Sequence, residues 1–277
     1  MSADRASGGA GGVASAGGRG EPGAREFFVG YLAMPRGLAR FVSWVAPGLV
    51  AAGLAIAWFV SGTQSDPGAG VWHEQRESLV GRVSLTPYAL LRVATTQPGR
   101  AFETVLLVSE GKHGAGERVA AHDGRVVQAR GTILERDGRR LLELADAEEV
   151  TPADAAAEAS APRLAASSAA RQRVTLRGEI IDPKCYAGAM KPGEGKTHKE
   201  CATLCIAGGI PPMFVAWDAQ GTASWYLLCD ADGRGLVGAR LERVLPFVAD
   251  WVELSGELET LGDVQVLRID AESVRRL

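Results

Sequence analysis

The hydrophobic pattern changes character once along the chain. From Phe41 to Val60 it reads FVSWVAPGLVAAGLAIAWFV, 20 residues without a charge, the length a helix needs to cross about 30 Å of hydrocarbon. Pro47 and Gly48 would be costly in a soluble helix but are tolerated in a membrane-spanning one. Trp44 and Trp58 stand near the ends, where amphipathic rings favour the membrane interface. A buried core helix and a cleaved leader compete with this reading, but secretory apolar segments are usually shorter. The pattern predicts an anchor over residues 38–61, marked by Phe41, Trp44, Trp58 and Val60.

Past the anchor the apolar runs are short and strand-like: Leu79 to Leu85, Thr104 to Val108, Val126 to Leu134 and Leu141 to Leu144, separated by turn signals such as Asp123-Gly124 and Asp137-Gly138. Such runs predict a small antiparallel β domain over residues 70–150. Residues 151–172 are rich in Ala, Ser and Pro and lack a strand pattern, so they read as a linker, with a short helix as the alternative. The pattern then repeats. Arg177-Gly178-Glu179-Ile180-Ile181 matches Val80-Gly81-Arg82-Val83-Ser84, and Val252-x-Leu254-x-Gly256 stands 125 positions after Val127-x-Ala129-x-Gly131. Val266-Leu267-x-Ile269 follows Leu141-Leu142-x-Leu144 at the same spacing. A constant offset points to a duplicated unit. The expected fold is mainly β: one N-terminal transmembrane helix followed by two small OB-like β-barrel domains, the second over residues 173–277. Trp217, Trp225 and Trp251 are expected to fill the second barrel's core.

Composition adds direction rather than identity. Residues 1–37 read as a disordered cytoplasmic N-terminus, because the first 24 are mostly Gly, Ala and Ser and carry too few apolar side chains to form a core. Arg25, Arg36 and Arg40 precede the apolar run, while Asp66, Glu74 and Glu77 follow it. The positive-inside rule then places the N-terminus inside a bacterial cytoplasmic (inner) membrane, crossed once, with the rest periplasmic. The net charge of −3 comes from acids and bases spread along the chain, so no basic face proposes a nucleic-acid partner.

The candidate chemistry lies in the second half, which holds all four cysteines: Cys185, Cys201, Cys205 and Cys229. Thr197-x-x-Glu200 has the form of a capping box and Gly208-Gly209 of a helix stop, which predicts a helix of about ten residues between them. His198, Cys201 and Cys205 fall on one face of it. With Cys185 they compose a Cys3His set suited to zinc, or to cuprous copper through its soft thiolates. Two disulfides explain the same cysteines in an oxidising compartment, with three possible pairings, and a thiol-redox pair is the third alternative. Gly195-Lys196-Thr197 lacks the glycine of a phosphate loop, since position 190 is Met190. Gly111-Lys112-His113-Gly114 reads as a strand-connecting turn rather than a binding loop, and His73 as an interfacial polar residue.

Gly178, Ile180, Asp182, Cys185, His198, Cys201, Cys205, Gly208 and Gly209 together match a pattern G-x-I-x-D, Cys, H-x-x-C-x-x-x-C-x-x-G-G. Over residues 174–275 the chain resembles small exported bacterial proteins with an OB-like barrel and this pattern. The resemblance implies the barrel and an extracytoplasmic location, and no activity. The anchor, the cysteine-free companion half and Cys229 are additions to it.

No carboxylate pair, nucleophile elbow or nucleotide loop accompanies these features. The functional expectation is a membrane-anchored, non-catalytic periplasmic module, a subunit or assembly factor of a membrane-bound complex, with the membrane and a membrane or periplasmic protein as partners. A zinc- or copper-binding or thiol-redox protein is the first alternative. A structural envelope protein with two disulfides is the second.

Overall fold

In the computed structural model the described residues are 33–64, 70–95, 99–163 and 171–277. Of the disordered N-terminus expected over residues 1–37, the first 32 lie outside them, as does the middle of the expected linker, while Arg36 and Gly37 belong to a helix. The chain divides into two units, one ending at Ser65 and one running from Asp66 to Leu277.

In the first unit, helix α1 (Arg36–Thr63) is 28 residues long, carries Pro47 inside it and buries none of its residues. It is long and apolar enough to cross a membrane. Its exposed face includes Phe41, Trp44, Trp58 and Val60.

The second unit is mainly β and holds two barrel-like sheets. The first begins with β1 (Val71–Ser84), β2 (Leu90–Ala94), β3 (Phe102–Ser109) and the short β4 (His113–Gly114). Helix α2 (Gly116–Val119) leads to β5 (Val126–Arg136), β6 (Arg139–Leu144) and β7 (Val150–Pro152). Hydrogen bonding runs β1-β2-β3-β6-β5 and closes through a β1–β5 pairing, with β3 and β6 parallel. At the β5–β6 hairpin, Asp137 and Gly138 both have positive φ, the geometry that an Asp-Gly turn supplies.

The segment expected as a linker is partly regular. Strand β7 adds to β5, and helix α3 (Ala155–Ser160) follows, with the Asp154 side chain accepting from Ala157 N. Glu158 fixes this helix to the barrel by accepting from Val126 N at 3.2 Å and Arg82 Nη1 at 2.8 Å. Those contacts are non-local, so alanine-rich composition alone could not reveal them.

The second barrel consists of β8 (Gln172–Ile181), β9 (Met213–Trp217), β10 (Ala223–Cys229), β11 (Trp251–Leu261) and β12 (Val264–Ile269), with β13 (Arg275–Arg276) added to β11. Helix α4 (Lys199–Ala207) lies between β8 and β9, and α5 (Ala239–Val244) between β10 and β11. The path is the same: β8-β9-β10-β12-β11, closing through β8–β11, with β10 and β12 parallel.

The repeats seen in sequence occupy equivalent registers. Thr132 faces Glu143 in the first barrel and Glu257 faces Arg268 in the second, each 125 positions later. Gly81 pairs with Val127 and Gly178 with Val252. A Cβ at Gly81 would stand 2.5 Å from Arg92 O, and one at Gly178 2.0 Å from Val215 O. Only glycine lets the opening strand of each barrel press this closely on its neighbour.

Each barrel has its own core, built in the first from Leu91, Leu107, Ile133 and Leu142 and in the second from Ile180, Phe214, Leu228 and Leu267. A third cluster joins them, with Leu90, Leu106, Leu134 and Leu141 from the first barrel against Met213, Val215, Trp225, Leu227 and Val266 from the second. Side chains alternate between strand faces, so neighbours such as Leu90 and Leu91 serve the interface and the barrel core respectively. The same parity corrects the tryptophan expectation. Trp225 is buried between the barrels and donates to Asp137 Oδ2 at 3.0 Å. Trp217 and Trp251 point outward and stack on each other with ring centroids 5.6 Å apart. Tyr88 stitches the barrels as well, donating to Leu228 O and accepting from Leu236 N, both at 2.8 Å.

Because the interface is a hydrophobic core in its own right, the two barrels should unfold together. Leu134→Ala, which removes a fully buried interface side chain, is expected to cost about 3 kcal/mol. Hydrogen exchange of the full chain in detergent should then quicken alike for amides of β3 and of β9. Acceleration confined to the first barrel would show independent cores.

Candidate metal centre

The loop between β8 and β9 carries the cysteine segment, and it is long where its counterpart between β1 and β2 is short. Asp182 starts it, wholly buried, and its Oδ1 accepts from Lys184 N at 2.9 Å. A helical turn over Cys185–Ala189 follows, then a turn over Lys196–His198, then α4. Glu179 holds the approach to α4, accepting from Gly195 N at 2.6 Å. The capping box expected at Thr197 does not form: His198 occupies the N-cap position and the cap has no side-chain hydrogen bond. The helix stop does form. Ile210 N donates to Cys205 O and Gly209 N to Ile206 O, with Gly209 at φ +96°, the pattern of a Schellman cap.

Cys201 and Cys205, one helical turn apart, meet Cys185 so that their three sulfurs lie within 4.8 Å of one another. Donor atoms of Asp182, Cys185 and His198 form a second triad within the same limit. The four-ligand set read from sequence is therefore divided into two triads that share Cys185, with Asp182 as an added donor. All four cysteines are free thiols, and Cys229 stands apart in the interface cluster, its Sγ 3.8 Å from Leu267 O. Burial pushes the Cys229 thiol up to about 12.

The triads are buried unevenly. Asp182, Cys185, His198 and Cys205 are shielded, whereas Cys201 is partly exposed. His198 Nε2 and Asp182 Oδ2 are buried without a hydrogen-bond partner. Leaving such groups unpaired costs free energy, and a metal ion is one partner that would satisfy both. Burial holds the His198 imidazole below its ordinary pKa, against the pull of Asp182, which favours the neutral form that a ligand requires.

The first barrel completes the site. Lys112, in the turn between β3 and β4, brings its ammonium 2.8 Å from Cys201 Sγ and 3.6 Å from Cys205 Sγ. Its pKa is raised, chiefly by the hydrogen bond to Cys201. Cys205 is pulled down by a hydrogen bond from Cys185 and by Lys112, while Cys185, buried and donating, is pushed up. The hydrogen bond between them thus favours the thiolate form on Cys205 over Cys185, against burial and the Asp182 carboxylate, which raise both. Gly111-Lys112-His113-Gly114 is a turn, as expected, yet it also places a charge on the cysteines.

That placement is fixed on two sides. Gly114 N donates to Gly208 O at 3.1 Å, and a Cβ at Gly208 would lie 1.8 Å from Lys112 O, so no side chain fits between helix end and turn. Beneath them Lys184, nearly fully buried, pairs with Glu143 at 2.5 Å and donates to Ser109 O and Gly111 O at 2.8 and 2.7 Å. Asp182 was legible through the G-x-I-x-D pattern. Lys112, Lys184 and Glu143 were not, because their meeting depends on how the barrels dock.

The described residues thus define a mainly β protein with barrel-like sheets and a cysteine cluster that could bind a metal. Comparison with protein-family models, curated proteins and solved structures finds no match for the chain.

Two outcomes follow from these electrostatics. Lys112→Met should shift the appearance of thiolate ultraviolet absorbance to higher pH by about one unit, since it removes the cation facing Cys205. An unchanged titration would deny Lys112 that role. Glu179, pushed up to about 7 by burial, binds its proton more tightly folded than unfolded. Its contribution to stability is complete below its ordinary value of 4.5 and is lost as pH rises to about 7. Denaturant unfolding of Glu179→Gln should show a shallower loss of stability across that window, by on the order of 2 kcal/mol.

Proposed function

We propose that this chain is a membrane-tethered, non-catalytic module of the bacterial envelope that binds a soft transition metal, zinc or copper, through the cysteine cluster of its second barrel. The observation that carries the reading is the meeting of three free thiols within 4.8 Å beside a second triad containing His198 and Asp182. Buried polar atoms without partners in that second triad support a ligand-holding role over a packing role.

The remaining parts fit a tether and a docking body. Helix α1 supplies the span, and the basic residues before it with acidic ones after it favour an N-terminus inside and barrels in the periplasm. Both strand paths, with third and fifth strands parallel, support a reading of the barrel-like sheets as OB-type. A body of two such barrels suits a subunit or assembly factor of a membrane-bound complex that receives or stores the ion. Thiol–disulfide exchange is the second reading, favoured by partly exposed Cys201 with Lys112 at 2.8 Å and Cys205 one turn away.

Elemental analysis of the full chain purified from membranes distinguishes these. Bound zinc or copper should be present, be lost in Cys185→Ser, Cys201→Ser and Cys205→Ser, and be retained in Cys229→Ser. A metal-free chain whose mass is four hydrogens below the reduced value would instead establish two disulfides and sink the metal reading.

A further inference from the structure

The two triads differ in chemistry, and the difference selects an ion. Beside the Cys185, Cys201 and Cys205 sulfurs a fourth sulfur, the thioether of Met190, lies with its Sδ 3.9 Å from Cys201 Sγ, and the Asp182 carboxylate borders Cys185 and Cys205 on the buried side. His198 and Asp182, the nitrogen and oxygen donors, group with Cys185 in the other triad. Soft thiolate and thioether donors suit cuprous copper, which accepts two or three sulfurs, whereas zinc in closed sites almost always takes four ligands. Lys112 offsets part of the negative charge that three thiolates around a monovalent ion would leave.

The exposure of the site points the same way. Cys185 and Cys205 are buried at the back, Cys201 is partly exposed, and Met190 is 51 % exposed at the solvent side. A closed structural metal would be enclosed on all sides, but this arrangement presents one thiol and one thioether to an incoming ion. We infer that the three-thiol triad is a cuprous exchange site, with Met190 as the outer thioether that receives the ion from, or passes it to, another soft-ligand carrier. The inference rests on the metal-binding reading above. Binding transfers no electron: copper arrives as Cu(I), Cu–S bonds form, and the protons still held by the thiols leave to solvent.

The test titrates the reduced full chain in detergent, without oxygen, with Cu(I) buffered by bicinchoninate and separately with Zn(II). The wild type should withdraw one cuprous ion per chain and keep it against equimolar zinc. Met190→Leu should weaken Cu(I) retention about tenfold and leave zinc binding unchanged. Displacement of copper by zinc, or unaltered retention in Met190→Leu, would overturn the inference while leaving a metal site standing. Failure of the wild type to bind either ion would remove the metal-binding reading itself. If a variant misfolds by circular dichroism, the copper X-ray absorption spectrum of the wild type decides: a sulfur-only shell supports the inference, and nitrogen or oxygen ligands refute it.

Discussion

A five-stranded barrel buries one face of its strands, and in this chain both faces of several strands are apolar. The outward residues Leu90, Leu106, Leu134 and Leu141 of the first barrel, and Met213, Val215, Leu227 and Val266 of the second, cannot be left in water without large cost. Each barrel is the other's cover. This mutual burial sets the position of everything near the rim, including the turn between β3 and β4 that reaches the cysteine loop. Polar contacts then fix the orientation that apolar burial leaves loose. Tyr88 spans to Leu228 and Leu236, Trp225 to Asp137, and Arg136 lays its guanidinium 3.6 Å from the Tyr186 ring centre.

Much of the fold was legible in the sequence because strand periodicity, Asp-Gly turns and the 125-residue offset are local or repeated signals. The long apolar helix α1 is likewise a matter of length and composition. Docking of the barrels left a signal too, in runs such as Val105-Leu106-Leu107-Val108, which are apolar at every position rather than alternating. Such runs mark strands covered on both faces. Reading them as ordinary half-buried strands is why Trp225 was expected in a barrel core and Trp217 and Trp251 beside it. The capping box failed for a related reason: the turn at Lys196–His198 carries His198 into the buried site, and Thr197 is left on the exposed side.

The candidate site was half legible. Its thiols and His198 are visible as a spacing on one helix, but spacing cannot say which donors share a position, and the structure divides them into two triads through Cys185. Nor can a sequence show that a lysine 73 residues before Cys185 becomes part of its surroundings. Lys112 changes the chemistry because an ammonium beside sulfur favours thiolate, and Lys184 matters because it holds that lysine's turn by two backbone carbonyls. A buried Lys184–Glu143 pair contributes little to net stability, since desolvation offsets attraction. Its consequence is positional.

The division of labour between the two halves follows from the unequal lengths of their first loops. Both barrels join their first and second strands at the same end, but residues 85–89 do so in the first and residues 182–212 in the second. On an isolated barrel so long a loop would face water, and its histidine and carboxylate would find hydrogen-bond partners there. Here the loop meets the companion barrel through Lys112 and Lys184, while His198 Nε2 and Asp182 Oδ2 stay buried without a hydrogen-bond partner. The cysteine-free half therefore supplies wall and charge while the other supplies ligands. It follows that docking of the two barrels adds a cation to surroundings that the second barrel otherwise builds itself, and any partner that loosened the interface would also withdraw Lys112 from the sulfurs.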